Sequence, residues 1–164
     1  MVTLVFDRAE LVYDAENYSF VEGDIMKTDD EHVRHQVFDI GQSGNIDRVT
    51  RVLNLAHTEC VEMLFPYTKQ ELPDEAVALD NELAAPEAYG IEMRLPIGFS
   101  MTTVQLLKNL IHEYMVCRVV ADWMSITNPS SRANWEEKFM TMKKKIQTCV
   151  MSRNGKVKRK LKPF

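Results

Sequence analysis

The sequence has few residues that could cross-link the chain, and it has no long apolar run. Only three of the 164 residues are Cys, and none belongs to a Cys-x-x-Cys pair of the kind that anchors zinc. We therefore expect free thiols, as in a reducing compartment. No run of about 18 apolar residues is present, which argues against a membrane-spanning helix. The start, Met1-Val2-Thr3-Leu4, does not resemble a secretory signal.

Motifs of known catalytic chemistry are also missing. His112-Glu113 is followed by Val116 where the zinc-hydrolase motif has its second His. His32, His35 and His57 lack the partners that a tetrahedral zinc site or a di-iron site needs. Neither a nucleophile elbow nor a phosphate-binding loop occurs. We therefore predict a protein that is not an enzyme and that uses no metal and no cofactor.

Acidic residues are absent from the last part of the chain. All 24 acidic residues, with ten Lys or Arg, lie in residues 1–137, which gives this part a net charge of −14. Residues 138–164 contain the other ten Lys or Arg and no acid, a net charge of +10. The asymmetry predicts an anionic partner for the basic end, either nucleic acid, an acidic protein surface or the acidic body of another copy.

Apolar residues recur with helical spacing over much of the chain. The pattern predicts a mainly α fold, a bundle of three to four long helices with a small extended or β element and an extended basic C-terminal tail. The helices are expected at about 29–40, 46–67, 101–126 and 129–152. Residues able to cap their free N–H groups precede them, namely Asp29 or Asp30, Ser43 or Asn45, Ser100 and Asn128. Gly41 fits the end of the first helix with a positive φ.

The β element is less sharply defined. Alternating apolar residues predict a hairpin within residues 2–21, with its turn at residues 14–17. The last part of this stretch also fits the start of a helix. A further strand is expected within residues 89–97, and a short helix is possible near 74–84. Residues 70–99 contain several Pro and Gly and are acidic, so we expect an irregular insertion there, of the kind that often serves an interface.

We expect one helical domain over residues 1–152, followed by the basic tail over residues 153–164. The predicted contacts to a partner or to nucleic acid are basic residues of α-helical or tail segments near this end, Lys143, Lys144, Arg153, Lys156, Lys158, Arg159, Lys160 and Lys162. In the tail, Lys alternates with Val157, Arg159 and Leu161, which suits an extended segment lying in an anionic groove or along a sheet edge. A solvated helix end is the competing interpretation.

Three parts of the sequence together resemble a family of viral structural proteins. They are the segment from Ser43 to Val49, the helix from Leu110 to Trp123, and the ending that contains Trp135, Arg153, Arg159 and Pro163-Phe164. Their layout is similar to that of head–tail connector proteins, also called neck or ring proteins, of tailed phages and prophages. The resemblance covers most of the chain as a pattern, and it implies no catalytic residue.

The resemblance implies a ring of copies beneath the portal of a virus particle. Extended arms would hold neighbouring copies, the portal and tail proteins would lie next to the ring, and genome DNA would pass through it. The place of action would be the virion, with assembly in the host cytoplasm and no membrane contact. The alternative function is a small DNA-binding or regulatory helical protein that uses its basic end.

Overall fold

The computed structural model describes residues 1–152 as a mainly α-helical domain, which confirms the predicted fold class. The elements in chain order are β1 (Val2–Asp7), α1 (Arg8–Ile25), α2 (Glu31–Phe38), α3 (Ile46–Met63), β2 (Ala88–Met93), α4 (Met101–Thr127) and α5 (Pro129–Ser152). A short 3-10 helix, Asp39–Gly41, follows α2. The predicted basic tail, residues 153–164, lies outside the described residues.

The centre of the domain is α4, as the sequence predicts. Fourteen of its 27 residues are buried, and they include Ile111, Tyr114 and Met115. A helix that is apolar around most of its girth needs neighbours on several sides. Helix α5 folds back along α4, while α1, α2 and α3 cover other sides. Trp123 ties α4 to α2 by donating its Nε1–H to the Val37 carbonyl at 2.9 Å.

The predicted hairpin within residues 2–21 is wrong, because only residues 2–7 form a strand. Asp7 ends that strand and begins α1, since its carboxylate accepts the N–H groups of Ala9 at 2.8 Å and Glu10 at 3.2 Å. The expected turn at residues 14–17 lies in the middle of α1. The buried residues of this helix are Leu11, Ala15, Ser19 and Gly23, a spacing of four that fits a helix and not a strand.

The true partner of β1 comes from the predicted insertion. Strand β2 pairs antiparallel with β1, with Leu4 opposite Ile91 and Phe6 opposite Tyr89. These four side chains are all buried, so one face of the small sheet belongs to the core. A strand within residues 89–97 was expected, and the structure places it at Ala88–Met93. The short helix considered near 74–84 does not form.

The region predicted as one helix over 29–40 is shorter and ends differently. Asp30 caps α2 as expected, accepting the His32 N–H at 2.9 Å. Gly41 closes the following 3-10 helix without a positive φ, which among the described glycines occurs only at Gly98. Gly41 packs closely on α1, since a Cβ there would lie 1.6 Å from Oε1 of Glu16 and that side chain would have to move. The glycine thus allows close packing of the two segments.

The remaining helices follow the apolar pattern closely. Helix α3 buries Val49, Leu53, Ala56 and Cys60 as predicted, although it ends at Met63 and not near residue 67. Ser100 caps α4, and α5 spans the predicted residues 129–152. Residues 1–152 thus form five helices where three to four long ones were expected. The difference arises from α1, which was missed, and from α2, which has only eight residues.

Replacing Tyr114 by Phe should destabilise the domain in a pH-dependent way. Its buried hydroxyl donates to Oε2 of Glu59. Burial is the largest cause that raises the pKa of Tyr114, and the Glu59 carboxylate is the next. We expect a loss of about 1 kcal/mol of unfolding free energy near pH 7.5. The neutral phenol stabilises the fold below pH of about 10, and this contribution disappears as pH rises further. The deficit of the variant should therefore shrink above pH 10.

Urea unfolding at several pH values measures this deficit. The matched control is Tyr13→Phe, because Tyr13 is exposed to 59% and should show no deficit at any pH. A Tyr114→Phe variant as stable as the wild type at pH 7.5, or one with the same deficit at pH 11, would contradict the assignment.

Candidate functional site

The segment between α3 and β2 is the most exposed part of the described chain. Residues 70–87, here called the acidic arm, contain six acidic residues, no basic residue and no regular secondary structure. Within it Leu72 is 91% exposed and Leu79 is 93% exposed. Leucines so fully in water add no buried apolar area to this domain.

Only a few bonds join the acidic arm to the body of the domain. Asn54 on α3 donates its Nδ2–H to the Ala84 carbonyl at 2.7 Å. Arg51, one turn earlier, reaches the Asn81 carbonyl at 3.5 Å. Both contacts involve the second half of the arm, which leads into β2. The first half of the arm, with Leu72, is exposed throughout.

Two adjoining pockets lie along the C-terminal half of α3. The first, of about 690 Å³, lies between α3 and the exposed face of the sheet, where Thr3, Gly90 and Glu92 line it. The second, also about 690 Å³, lies between α3 and the last three turns of α5. The row of Thr58, Glu62 and Phe65 on α3 borders both pockets. We call the two pockets together the α3 groove, with a first and a second part.

The chemistry of the α3 groove is mixed apolar and acidic. Leu55 is 50% exposed, Phe65 56% and Met151 74%, which leaves three large apolar side chains in contact with water. Carboxylates stand among them, from Glu59, Glu62 and Glu92, while Lys69 and Lys143 supply the basic groups. Such a lining suits an extended peptide that carries both apolar and basic side chains.

Side-chain contacts join β2 to α3 beside the groove. Tyr89 donates its hydroxyl to Oδ1 of Asn54 at 2.7 Å, and its ring packs on that of His57. Nε2 of His57 lies 2.9 Å from the Gly90 carbonyl, on the edge of β2 that faces away from β1. Helix α3 thus holds the sheet through Asn54 and His57, and His57 also lines the groove. His57, one of the candidate ligands in the sequence, therefore has a structural partner.

The predicted basic contact residues separate in the structure. Lys143 is half-buried and lines the α3 groove, whereas Lys144 is exposed and lies outside it. The other six predicted contacts lie outside the described residues, and they are Arg153, Lys156, Lys158, Arg159, Lys160 and Lys162. Leu55 and Phe65 were not singled out from the sequence. Leu55 lies outside the buried apolar stripe of α3, and an apolar residue at such a position was the signal that the sequence offered.

A second polar cluster joins α1, α4 and α5. The Tyr18 hydroxyl donates to Oε1 of Glu113 at 2.7 Å, and Nζ of Lys138 lies 3.8 Å from the same oxygen. Lys138 also stands 4.8 Å from the ring centroids of both Tyr18 and Trp135. Nearby, Nε2 of His112 and Oδ2 of Asp14 are 2.6 Å apart. Each of these polar groups contacts a residue of another helix, so the cluster holds α1, α4 and α5 together.

The thiols in the core are poor nucleophiles. Burial raises the pKa of Cys60, and the Glu59 carboxylate adds to the effect. Burial also raises the pKa of Cys117 to about 12, with Glu113 contributing in the same direction. Both thiols are therefore neutral near pH 7, and the thiolate is the reactive form. Within residues 1–152 no group of three or more His, Cys, Asp or Glu is placed to hold a metal ion.

A thiol reagent should therefore distinguish the three cysteines. Cys149 is half-buried near the end of α5, while the other two are buried. Native protein treated with a maleimide at pH 8 should take up at most one label quickly, at Cys149, and unfolded protein should take up three. Mass spectrometry of the intact and digested protein measures this. Rapid native labelling of Cys60 or Cys117 would contradict their assignment to the core.

No helix of residues 1–152 is both long and apolar enough to cross a bilayer. Comparison of the chain with protein-family models, with curated proteins and with solved structures gives no match. Any functional conclusion therefore depends on the chain's own surface.

Proposed function

We propose that this chain is a non-enzymatic structural protein of a phage particle, a subunit that assembles with copies of itself into a closed head–tail connector ring. The observation that carries the proposal is the acidic arm, whose Leu72 and Leu79 are more than nine-tenths exposed in the single chain. Long irregular connections in compact domains usually serve a functional surface. A neighbouring subunit supplies the cover that the isolated domain lacks.

The energetics favour assembly through this arm. Burial of one leucine side chain contributes roughly 1.5–3 kcal/mol. Two leucines at each interface therefore contribute roughly 3–6 kcal/mol, and in a closed ring each copy takes part in two interfaces. The arm's carboxylates also match the chain's excess of basic residues after Glu137, since opposite charges orient the approaching copies. The resemblance to connector proteins, with their extended arms, points to the same kind of particle.

Changing both arm leucines should break the assembly and leave the subunit folded. We expect Leu72→Ser combined with Leu79→Ser to raise the dissociation constant of an interface by about 100-fold or more, because at least about 3 kcal/mol of burial is lost. Sedimentation velocity should show a shift from the ring to smaller species. The helical circular dichroism and the thermal midpoint of the subunit should stay close to the wild type, since neither side chain contacts the core.

The matched control is Leu106→Ser, which removes an exposed leucine of α4 that lies outside the arm. This variant should assemble like the wild type. Assembly that persists unchanged in the double arm variant would remove the main support for the proposal.

A DNA-binding regulatory protein is the second candidate. Lys144 and Lys145 favour it, because both are exposed on α5 and this helix has no acidic residue after Glu137. The −14 charge of residues 1–137 opposes it, because that body repels a phosphate backbone. For this candidate, a monomer should bind duplex DNA with a steep loss of affinity as salt rises. For the connector, we expect weak DNA binding by the free subunit at 150 mM salt, which a fluorescence-anisotropy titration measures.

A further inference from the structure

We infer that the α3 groove is the seat of the basic C-terminal segment, residues 153–164, of a neighbouring copy. This inference rests on the proposed function, because it requires that copies of the chain stand side by side. It adds that the two surfaces that meet are the α3 groove and the basic segment, whose charges and apolar side chains fit each other.

The first part of the groove is acidic and the segment is basic. Glu62 and Glu92 are exposed carboxylates on the walls of this part, against one lysine, Lys69. In the second part, Glu59 already accepts the Tyr114 hydroxyl and lies 3.6 Å from Nε of Arg118. Residues 153–164 contain six Lys or Arg and no acid. Each exposed pair contributes at most about 1 kcal/mol, so several pairs along the segment are needed to hold it.

Both the groove and the segment have apolar side chains. The groove leaves Leu55, Phe65 and Met151 half or more exposed. The segment alternates basic and apolar residues, with Val157 and Leu161 four positions apart. In an extended chain, residues two or four apart point to the same side. One side of an extended segment can therefore cover these apolar side chains while its lysines meet the carboxylates.

The segment is long enough to reach a neighbouring copy. Twelve residues in extended form span up to about 40 Å, which is enough to leave one subunit and lie along a groove of the next. The segment begins at the end of α5, and α5 itself forms one wall of the groove through Lys143, Gln147, Val150 and Met151. A ring closes when each copy gives one segment and receives one.

Disulfide trapping in the full-length protein tests the inference. In a Cys149→Ala background, Thr58→Cys places a thiol where the two parts of the groove meet, and Val157→Cys places one on the segment. Mild oxidation followed by electrophoresis without reductant should give covalent dimers and higher multimers. The matched control joins Val157→Cys with Asp24→Cys, an exposed position on α1 outside the groove. It should give at least several-fold less product, as should Val157→Cys alone.

Charge reversal supplies an independent variant. Glu62→Lys combined with Glu92→Lys, added to the trapping pair, should lower the yield of multimers several-fold at low salt. Glu137→Lys, an exposed reversal on α5 outside the groove, should leave the yield unchanged. Since all three positions are exposed, each variant is expected to fold, which circular dichroism verifies.

The outcomes separate the inference from the proposed function. Multimers that form only when both the groove cysteine and the segment cysteine are present support the inference. A cross-link within a single chain, seen as a fast-migrating monomer, overturns it by placing the segment in its own groove. A wild-type-sized ring without any cross-link overturns it and leaves the proposed function standing. A protein that stays monomeric before oxidation, and forms no cross-link, overturns both.

Discussion

The burial of α4 is the constraint on which the rest of the structure depends. A helix of 27 residues with apolar side chains around most of its girth is stable in water only when other elements cover it. Helix α5 covers one side along its length, and α1, α2 and α3 cover others. The side-chain bonds that fix these neighbours start from α4 itself, as in Tyr114 to Glu59 and Trp123 to Val37. Packing on α4 also sets where α3 lies against the sheet and against α5.

The sequence predicts those parts of the fold in which a single periodicity is strong. Helices α4 and α5 and the buried stripe of α3 follow directly from apolar residues three and four positions apart. Helix α1 does not, because its buried face consists of Leu11, Ala15, Ser19 and Gly23, three of which are too small to stand out as apolar. Its small face is needed for close packing, as Gly23 shows: a Cβ there would lie 2.2 Å from the Phe38 ring. Strand pairing between residues so far apart, β1 with β2, carries no local signal at all.

The candidate site was predictable only as a charge pattern. The basic end and the acidic body are plain in the sequence, and they predict an anionic partner for the basic end, either nucleic acid, an acidic protein surface or another copy. The shape of each acidic surface depends on how α3, α5 and the sheet pack. The α3 groove could therefore not be predicted from the sequence. Exposure of Leu72, Leu79, Leu55 and Phe65 likewise follows from tertiary packing, since leucine and phenylalanine are usually buried.

The uncovered arm, the open groove and the basic C-terminal part that follows an acidic body are the features on which we base the proposed ring. The mass of the native particle tests the closed ring most directly. Native mass spectrometry of the full-length protein at 150 mM salt should give one dominant species, an integral multiple of the 19.0 kDa subunit mass with many copies. A monomer at micromolar concentration, or an open series of sizes without a dominant closed species, would contradict the account.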